Sequence, residues 1–333
     1  MSGTTLTPQT APGKITMIGT GSPITTVNYG VIFVGSEGTG NDQFPKGDAA
    51  NILASLDYLL KNATFSGISQ YINNGTVSSI TASPIALNGT TAGTYFTSTD
   101  TKFVRDNSNP KKSKHLSDIA GQLCASPTSY FSGTNTVLQS GGSAATTQLL
   151  VLVLPPGATL KDWYLHKGHK DTGVHGKFSY DNYVVENSAT LNGTVYFCAV
   201  TWGGDTDVPA SWSTAPWMGT CATIYKEIAQ FWTNPDVDDI PDINLTGSIV
   251  FTQAYNGNAS VVTQSSGNYS FAEVGNLAFL NGGTIASTTT VYGTISTDTT
   301  LNSGSTLTPP MHTIWSNSLN CPYVPPEFTQ VTK

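Results

Sequence analysis

The sequence predicts an all-β fold with a few inserted helices, of the jelly-roll or β-sandwich type, in which two sandwiches in tandem are one arrangement. Short apolar or alternating runs are separated throughout by Gly, Asn, Pro and Ser, which is typical of strands and turns. Long alternation of strands with helices is absent, which disfavours a parallel, doubly wound sheet. The predicted strands cover residues 14–18, 28–34, 77–81, 93–97, 146–154, 159–166, 176–180, 194–202, 247–255, 259–264, 276–280, 288–295 and 311–315.

Helical patterns are few. The clearest covers residues 47–62, where Asp48 can cap the first turn and apolar residues recur at helical spacing. A second covers residues 215–231, with Pro216 in the first turn, where proline is tolerated. A weaker third covers residues 115–124. In a sandwich, single helices of this kind pack on a sheet edge or on a neighbouring subunit.

A domain boundary is predicted near residues 133–145, where the chain is polar, built of small residues and rich in glycine. Residues 1–140 would form an N-terminal β-sandwich with an extended arm and an inserted helix. Residues 146–333 would form a C-terminal β-sandwich with an inserted helix and a Pro-rich C-terminal arm. Extended arms are devices by which shell subunits clasp their neighbours.

The composition is poor in charge. Charged residues make up 11% of the chain, well below the roughly 25% of ordinary soluble domains, whereas Thr, Ser, Asn and Gly are abundant. A surface of neutral hydroxyls and amides is weakly defended by self-repulsion, which suits a protein whose faces are covered by neighbours. The alternative is a secreted domain with a neutral surface.

The charge pattern also excludes classes of partner. The net charge is −7 and Arg105 is the one arginine among 14 basic residues, which argues against direct nucleic-acid binding. The longest strongly apolar run, residues 149–154, is too short to span a membrane. The first residues lack a basic stretch followed by an apolar core, so synthesis and assembly in the cytoplasm are expected.

Four cysteines lie far apart, without a CxxC pair, at Cys124, Cys198, Cys221 and Cys321. This spacing offers neither a zinc ribbon nor a redox motif. Buried thiols are the favoured interpretation, and one or two disulfides remain open if the protein works in an oxidising compartment.

Two clusters could bind metal ions. His166, His169 and His175 with Asp171 could converge on zinc, although the interleaved lysines favour an exposed and pH-sensitive loop instead. The second cluster offers carboxylates suited to structural calcium, although it lacks EF-hand spacing and a solvated loop is the alternative. Its members are Asp236, Asp238, Asp239 and Asp242. No other cofactor is expected.

No catalytic motif is recognisable. The Gly-rich segment 35–40 follows a strand but lacks the Lys-Ser/Thr of a phosphate-binding loop, so it is interpreted as a turn. A GxSxG nucleophile elbow is also absent. The sequence therefore predicts that the protein is not an enzyme. A glycosidase would need two carboxylates brought together by the fold, and the sequence leaves that open.

Residues 149–202 carry a resemblance to a known class. The apolar run LLVLVL enters the turn PPGA, an alternating run TLKDWYLH follows, and a Gly, Asp and His loop leads into GKFSY. This order resembles the pattern of strand, LPxGA turn, strand, loop and small-residue strand in β-sandwich (jelly-roll type) structural proteins of bacteriophage or related viral capsids. The resemblance implies a structural role and carries no active-site residues.

These observations predict a virion structural protein, a jelly-roll major capsid subunit that self-assembles into an icosahedral shell. Its partners would be copies of itself and other virion proteins, and its location would be the virion. A capsid decoration, cement or spike protein is the nearest alternative. From another class, a carbohydrate-binding surface module would use Trp202, Trp212 and Trp217 with segment 203–205. A polysaccharide-cleaving enzyme on a β scaffold is the third interpretation.

Overall fold

The computed structural model describes residues 14–17, 24–61, 80–88, 93–97, 116–140, 145–160, 172–185, 190–204, 208–233, 243–246, 280–281, 284–285, 292–299, 306–316, 321–323 and 327–331. Its helices are α1 (Asp48–Lys61), α2 (Leu116–Ala125), α3 (Pro127–Tyr130) and α4 (Pro216–Thr233). Its strands are β1 (Lys14–Met17), β2 (Thr26–Val34), β3 (Thr81–Pro84), β4 (Thr94–Phe96), β5 (Thr146–Val153), β6 (Gly173–Val184), β7 (Thr190–Val200), β8 (Ile243–Thr246), β9 (Leu280–Asn281), β10 (Thr284–Ile285), β11 (Tyr292–Ile295), β12 (Pro310–His312), β13 (Ile314–Ser316), β14 (Cys321–Tyr323) and β15 (Phe328–Gln330).

A six-stranded mixed sheet forms the centre of the described chain, in the order β3-β2-β5-β7-β6. Strand β2 runs parallel to β3, β4 and β5, and β5 runs parallel to β7. The short strands β3 and β4 lie along the same side of β2, and only β6 is antiparallel to its neighbour. The predicted all-β sandwich is therefore wrong, since the structure has α/β character.

The reason for this error is visible in β5. Its residues Leu149 to Val153 are fully buried, with alternate side chains on opposite faces of the sheet. Because helices cover both faces, such a strand is a continuous apolar run, and periodicity alone cannot tell it from a sandwich strand. Strands β2–β4 precede residue 140 and β5–β7 follow residue 145, yet they share one sheet. The tandem-sandwich arrangement is accordingly wrong as well.

Helices α1 and α4 cover one face of the sheet. They bury an apolar cluster that includes Val31, Leu56, Val151 and Ile228. Helix α4 is buried along residues 219–232, because α1, β6, β7 and β12 all pack against it. The indole of Trp232 donates a hydrogen bond of 2.7 Å to the carbonyl of Ile24, which ties the last turn of α4 to the start of the sheet.

Helix α2 covers the opposite face. Its residues Leu116, Ile119 and Leu123 pack with Leu150 and Leu152 of β5. Two tyrosines of β6 anchor it. The hydroxyl of Tyr180 donates to the carbonyl of Ser117 at 2.6 Å, and the hydroxyl of Tyr183 donates to the carboxylate of Asp118.

The three predicted helices are confirmed within one or two residues at each end. The predicted strands 247–255 and 259–264 lie outside the described residues, as does most of 159–166. No helix in the described ranges is both long enough and apolar enough to cross a membrane.

Candidate functional site

The carboxyl ends of the parallel strands meet at one edge of the central sheet. From β2 the chain passes through α1 to β3 and β4 on one side, and later through α2 to β5 on the other. The connection after β2 thus runs to one side of the sheet and the connection after β5 runs to the other, so the place between β2 and β5 is a topological switch point. In open α/β sheets, ligands bind in the crevice at this point.

The loop that follows β2 builds this edge. Gly35 begins it at φ +126°, where a side chain would be strained and where the ring of Phe44 and the side chain of Pro155 lie 3.6 Å from an added Cβ. The loop closes on itself, because the Phe44 amide donates to the Ser36 carbonyl at 2.9 Å. A carboxylate oxygen of Glu37 accepts the amide of Gly47 at 2.8 Å. Glu37 is thereby held beside Asp48, the first residue of α1.

Aromatic rings line the floor of the same edge. The ring of Phe44 contacts Phe33 at a centroid distance of 5.4 Å, Tyr95 at 6.1 Å and Trp202 at 5.2 Å. Phe44 is fully buried, whereas Tyr95 and Trp202 are half-buried at the surface of the cluster. The Tyr95 hydroxyl is itself buried, and the Glu37 carboxylate interacts with it. Rings and carboxylates therefore lie close together at this edge, since Tyr95 contacts Phe44 and is affected by the charges of Glu37 and Asp48.

The two carboxylates are electrostatically coupled. Burial, and to a smaller extent the nearby Glu37 carboxylate, raise the pKa of Asp48 from 3.8 to about 6. Burial, followed by the charges of Glu37 and Asp48, raises the pKa of the Tyr95 phenol to about 12. Asp48 therefore exchanges its proton close to neutral pH, whereas Tyr95 keeps its proton.

This coupling predicts how stability depends on pH. The folded chain binds the Asp48 proton more tightly than the unfolded chain does, so the free energy of unfolding falls as pH rises from 3.8 to about 6. The free energy of unfolding of Asp48→Asn, relative to that of the unchanged protein, should therefore be about 1 kcal/mol higher at about pH 8 than at about pH 4, after allowance for solvent screening. Chemical denaturation at both pH values measures this difference.

Asp57→Asn is the matched control for that experiment. Asp57 lies on the same helix and pairs with Lys61 at 2.5 Å, with both side chains well exposed. Loss of this ion pair should lower the free energy of unfolding by about a few tenths of a kcal/mol at neutral pH. This effect is opposite in sign to the one expected for Asp48→Asn. An Asp48→Asn protein whose relative stability is the same at both pH values would contradict the coupling.

A second cluster is buried between β6 and α4. The Nδ1 atom of His175 lies 3.0 Å from Oε2 of Glu227, and the Lys226 ammonium lies 3.3 Å from Oε1 of the same carboxylate. All three side chains are at least nine-tenths buried. Gly173 leaves space for the carboxylate, since a Cβ there would stand 2.5 Å from Oε1. In a chain so poor in charge, this is a concentrated ionic network.

The arrangement is that of a compensated ion cluster. The Glu227 carboxylate fixes the orientation of the imidazole and is balanced by the ammonium, so that no net negative charge is left to attract a cation. Within the described ranges, no three His, Cys, Asp or Glu side chains are grouped as metal ligands. The structure thus places His175 with Glu227 and Lys226.

The other predicted metal ligands are not among the described residues. His166, His169 and Asp171 lie outside the described residues, and so do Asp236, Asp238, Asp239 and Asp242. Among the tryptophans named for a carbohydrate site, Trp212 is buried against Tyr292, and Trp202 packs edge-on against Phe44. The two rings belong to separate apolar clusters.

Three cysteines are free and buried, as predicted for Cys124, Cys198 and Cys221. Burial raises the pKa of the Cys124 thiol to about 12 and raises that of the other two as well. Because the thiolate is the reactive form, we expect these three thiols to resist Ellman's reagent in the native protein and to react after denaturation. Reaction of more than one thiol per native chain would contradict this expectation, since only Cys321 is left.

The sequence does not predict the Glu37–Asp48 pair, because the two residues come together only when the loop after β2 folds back on the start of α1. One signal was present, namely an acidic residue in the turn after an apolar strand and a second at the start of the next helix. Comparison with known proteins gives no further guidance, since no family model, no curated protein and no solved structure matches the chain.

Proposed function

We propose that this chain is an α/β protein that binds a small molecule at the carboxyl edge of its parallel strands and exchanges a proton with it. Asp48 is the proton-carrying group, since burial and then the neighbouring Glu37 charge raise its pKa, and the half-buried rings of Tyr95 and Trp202 provide the apolar contact. The observation that supports the proposal most directly is the pKa of Asp48, about 6, at the carboxyl edge of the parallel strands.

The chemistry of the edge indicates the type of ligand. Two carboxylates side by side repel anions, so the ligand is neutral or cationic. A carboxyl group whose pKa lies near the working pH can donate a proton and take it back, which is the requirement of general acid–base catalysis. An acid–base hydrolase for uncharged substrates is therefore the reaction class that we propose.

The first experiment measures the Asp48 carboxyl directly. Its carbon-13 signal should titrate near pH 6, and Glu37→Gln should return the pKa towards its ordinary value, because the neighbouring negative charge is removed. An Asp48 signal that titrates at its ordinary value in the unchanged protein would overturn the proposal.

The second experiment measures turnover. Chromogenic neutral glycosides and esters are incubated with the unchanged protein, with Asp48→Asn and with Asp57→Asn. Loss of a general acid or base should lower the rate about 100-fold or more in Asp48→Asn and leave Asp57→Asn unchanged. Equal rates in the three proteins would contradict a catalytic role for Asp48.

A virion structural role is our second proposal, and it rests on composition alone. The chain is 11% charged, and Val184 is the exposed large apolar side chain among the described residues. Faces covered by hydroxyls and amides suit contacts between copies of the chain. The protein would then be a shell, decoration or spike protein that lacks a jelly roll. Mass photometry of the purified protein tests it, since a shell or spike subunit should form trimers, hexamers or larger bodies.

A further inference from the structure

A row of uncharged polar side chains crosses the central sheet near its amino-terminal edge. Asn28 of β2 is in register with Gln148 of β5, so the two side chains project side by side from the same face. This is the face that α2 covers further along, because Ile32 of β2 and Leu150 of β5 pack in that cluster. Amide side chains here are exceptional, since the following residues of both strands on this face are Gly or apolar.

A cavity of about 370 Å³ lies above this row. Asn28 and Gln148 contribute to its lining, and the segment 134–138 and residues 84–86 complete it. Every lining side chain is uncharged, and Ile85 and Leu138 provide apolar surface beside the amides. The volume is at the lower end of the range for small-molecule pockets.

The rim of the cavity is fixed before any ligand binds. The Asn135 side chain donates to the carbonyl of Ser132 at 2.8 Å, and the Leu138 amide donates to the Thr136 hydroxyl at 3.1 Å. The Gln139 side chain then clamps this segment to the sheet, since it bonds both the amide and the carbonyl of Gln148, at 3.1 and 3.0 Å. A preformed rim lowers the entropy that binding would cost.

The two amides are available to a ligand. Among the described residues, neither the Asn28 nor the Gln148 side chain has a hydrogen-bond partner, and both are half-buried. Each carboxamide offers two donors and one acceptor oxygen, so the pair can both donate to and accept from adjacent groups. Hydroxyl groups are the complementary partners, because each one also donates and accepts. Without a charge in the lining, an ionic ligand would be desolvated without compensation.

We propose that this cavity binds a neutral sugar unit, with Asn28 and Gln148 bonding adjacent hydroxyls and with Ile85 and Leu138 against the carbon–hydrogen face of the ring. The site lies at the opposite edge of the sheet from Asp48 and is independent of the proton-exchange function. A peptide is the less suitable occupant, because the floor is the face of a sheet and presents no open strand edge for backbone pairing.

The test begins with the unchanged protein. Glucose, galactose, mannose, N-acetylglucosamine and their disaccharides are titrated separately while the side-chain amide signals of asparagine and glutamine are followed by NMR. At least one neutral sugar should shift the Asn28 and Gln148 signals and leave that of Gln122, on α2 away from the cavity, in place. Absence of such shifts with every sugar up to its solubility limit overturns the proposal.

Variants then test the residue assignment. Asn28→Leu and Gln148→Leu preserve bulk but remove the hydrogen bonds, so each should weaken binding about tenfold, whereas Gln122→Leu should not. Thermal unfolding of each variant shows whether it is folded, and the shifts in the unchanged protein stand without the variants. Unaltered affinity in both folded leucine variants, or selective binding of glucuronic acid or of an uncharged tripeptide at these amides, overturns the neutral-sugar assignment.

Discussion

Replacing Glu227 with alanine should lower the free energy of unfolding by about 3–5 kcal/mol, one of the two largest effects that we expect. The carboxylate lies within 3.3 Å of the Lys226 ammonium and 3.0 Å of the His175 ring, and all three side chains are buried. Removing it takes away the counter-charge 3.3 Å from the ammonium in a low-dielectric site, and the loss of such a pairing is costly. Urea denaturation at neutral pH measures the change.

Two further variants separate charge from volume. Glu227→Gln keeps the size of the side chain and should still cost most of this amount, because an amide does not neutralise the ammonium. The double change Lys226→Met with Glu227→Gln removes both charges and should recover much of the loss. A Glu227→Ala protein within about 1 kcal/mol of the unchanged one would show that the cluster is not the compensated ion network that the distances indicate.

Alanine at Gly219 or Gly204 should also destabilise strongly, by about 3 kcal/mol or more in each case. The two glycines bring the segment after β7 into backbone contact with the first turns of α4. A Cβ on Gly219 would lie 2.1 Å from the Gly203 carbonyl oxygen, and one on Gly204 would lie 2.2 Å from the Gly219 carbonyl oxygen. Backbone atoms cannot move aside as a flexible side chain can, so the helix itself must shift. Thermal and urea denaturation measure the loss.

Gly203→Ala is the matched control for this contact. Gly203 also has a positive φ, +92°, but a Cβ there meets nothing within 4 Å. Its substitution should cost only the backbone strain of a left-handed residue, about 1–2 kcal/mol. If Gly203→Ala were as destabilising as Gly204→Ala, the close approach of the two backbones would not be the reason for glycine at these positions.

The helices could be predicted from the sequence because their signals are local. Asp48 begins α1 and Pro216 begins α4, where the acidic residue and the proline were expected. The direction of the strands could not be predicted, because it depends on which segments pair. Strands β2 and β5 are 120 residues apart in sequence and share an eight-residue parallel register. No residue within either strand distinguishes this pairing from an antiparallel one.

For the site residues too, local signals could be predicted from the sequence and distant partners could not. His175 was singled out with two neighbouring histidines, but its partner Glu227 lies 52 residues away on a helix. Glu37 and Asp48 come together only because the loop after β2 folds back on the first turn of α1. Residue type and spacing could identify candidate groups, whereas their partners were determined by the pairing of distant segments.

The bond from Trp232 to Ile24 has a consequence for biosynthesis. It joins residues 208 positions apart, and the helix that carries Trp232 covers the sheet that starts at β2. Until α4 has left the ribosome, one face of the strands already made has no complete apolar cover. Contacts of such long range also slow the search for the native state. We therefore expect late and slow acquisition of protease resistance, with nascent chains that end before residue 216 remaining sensitive throughout.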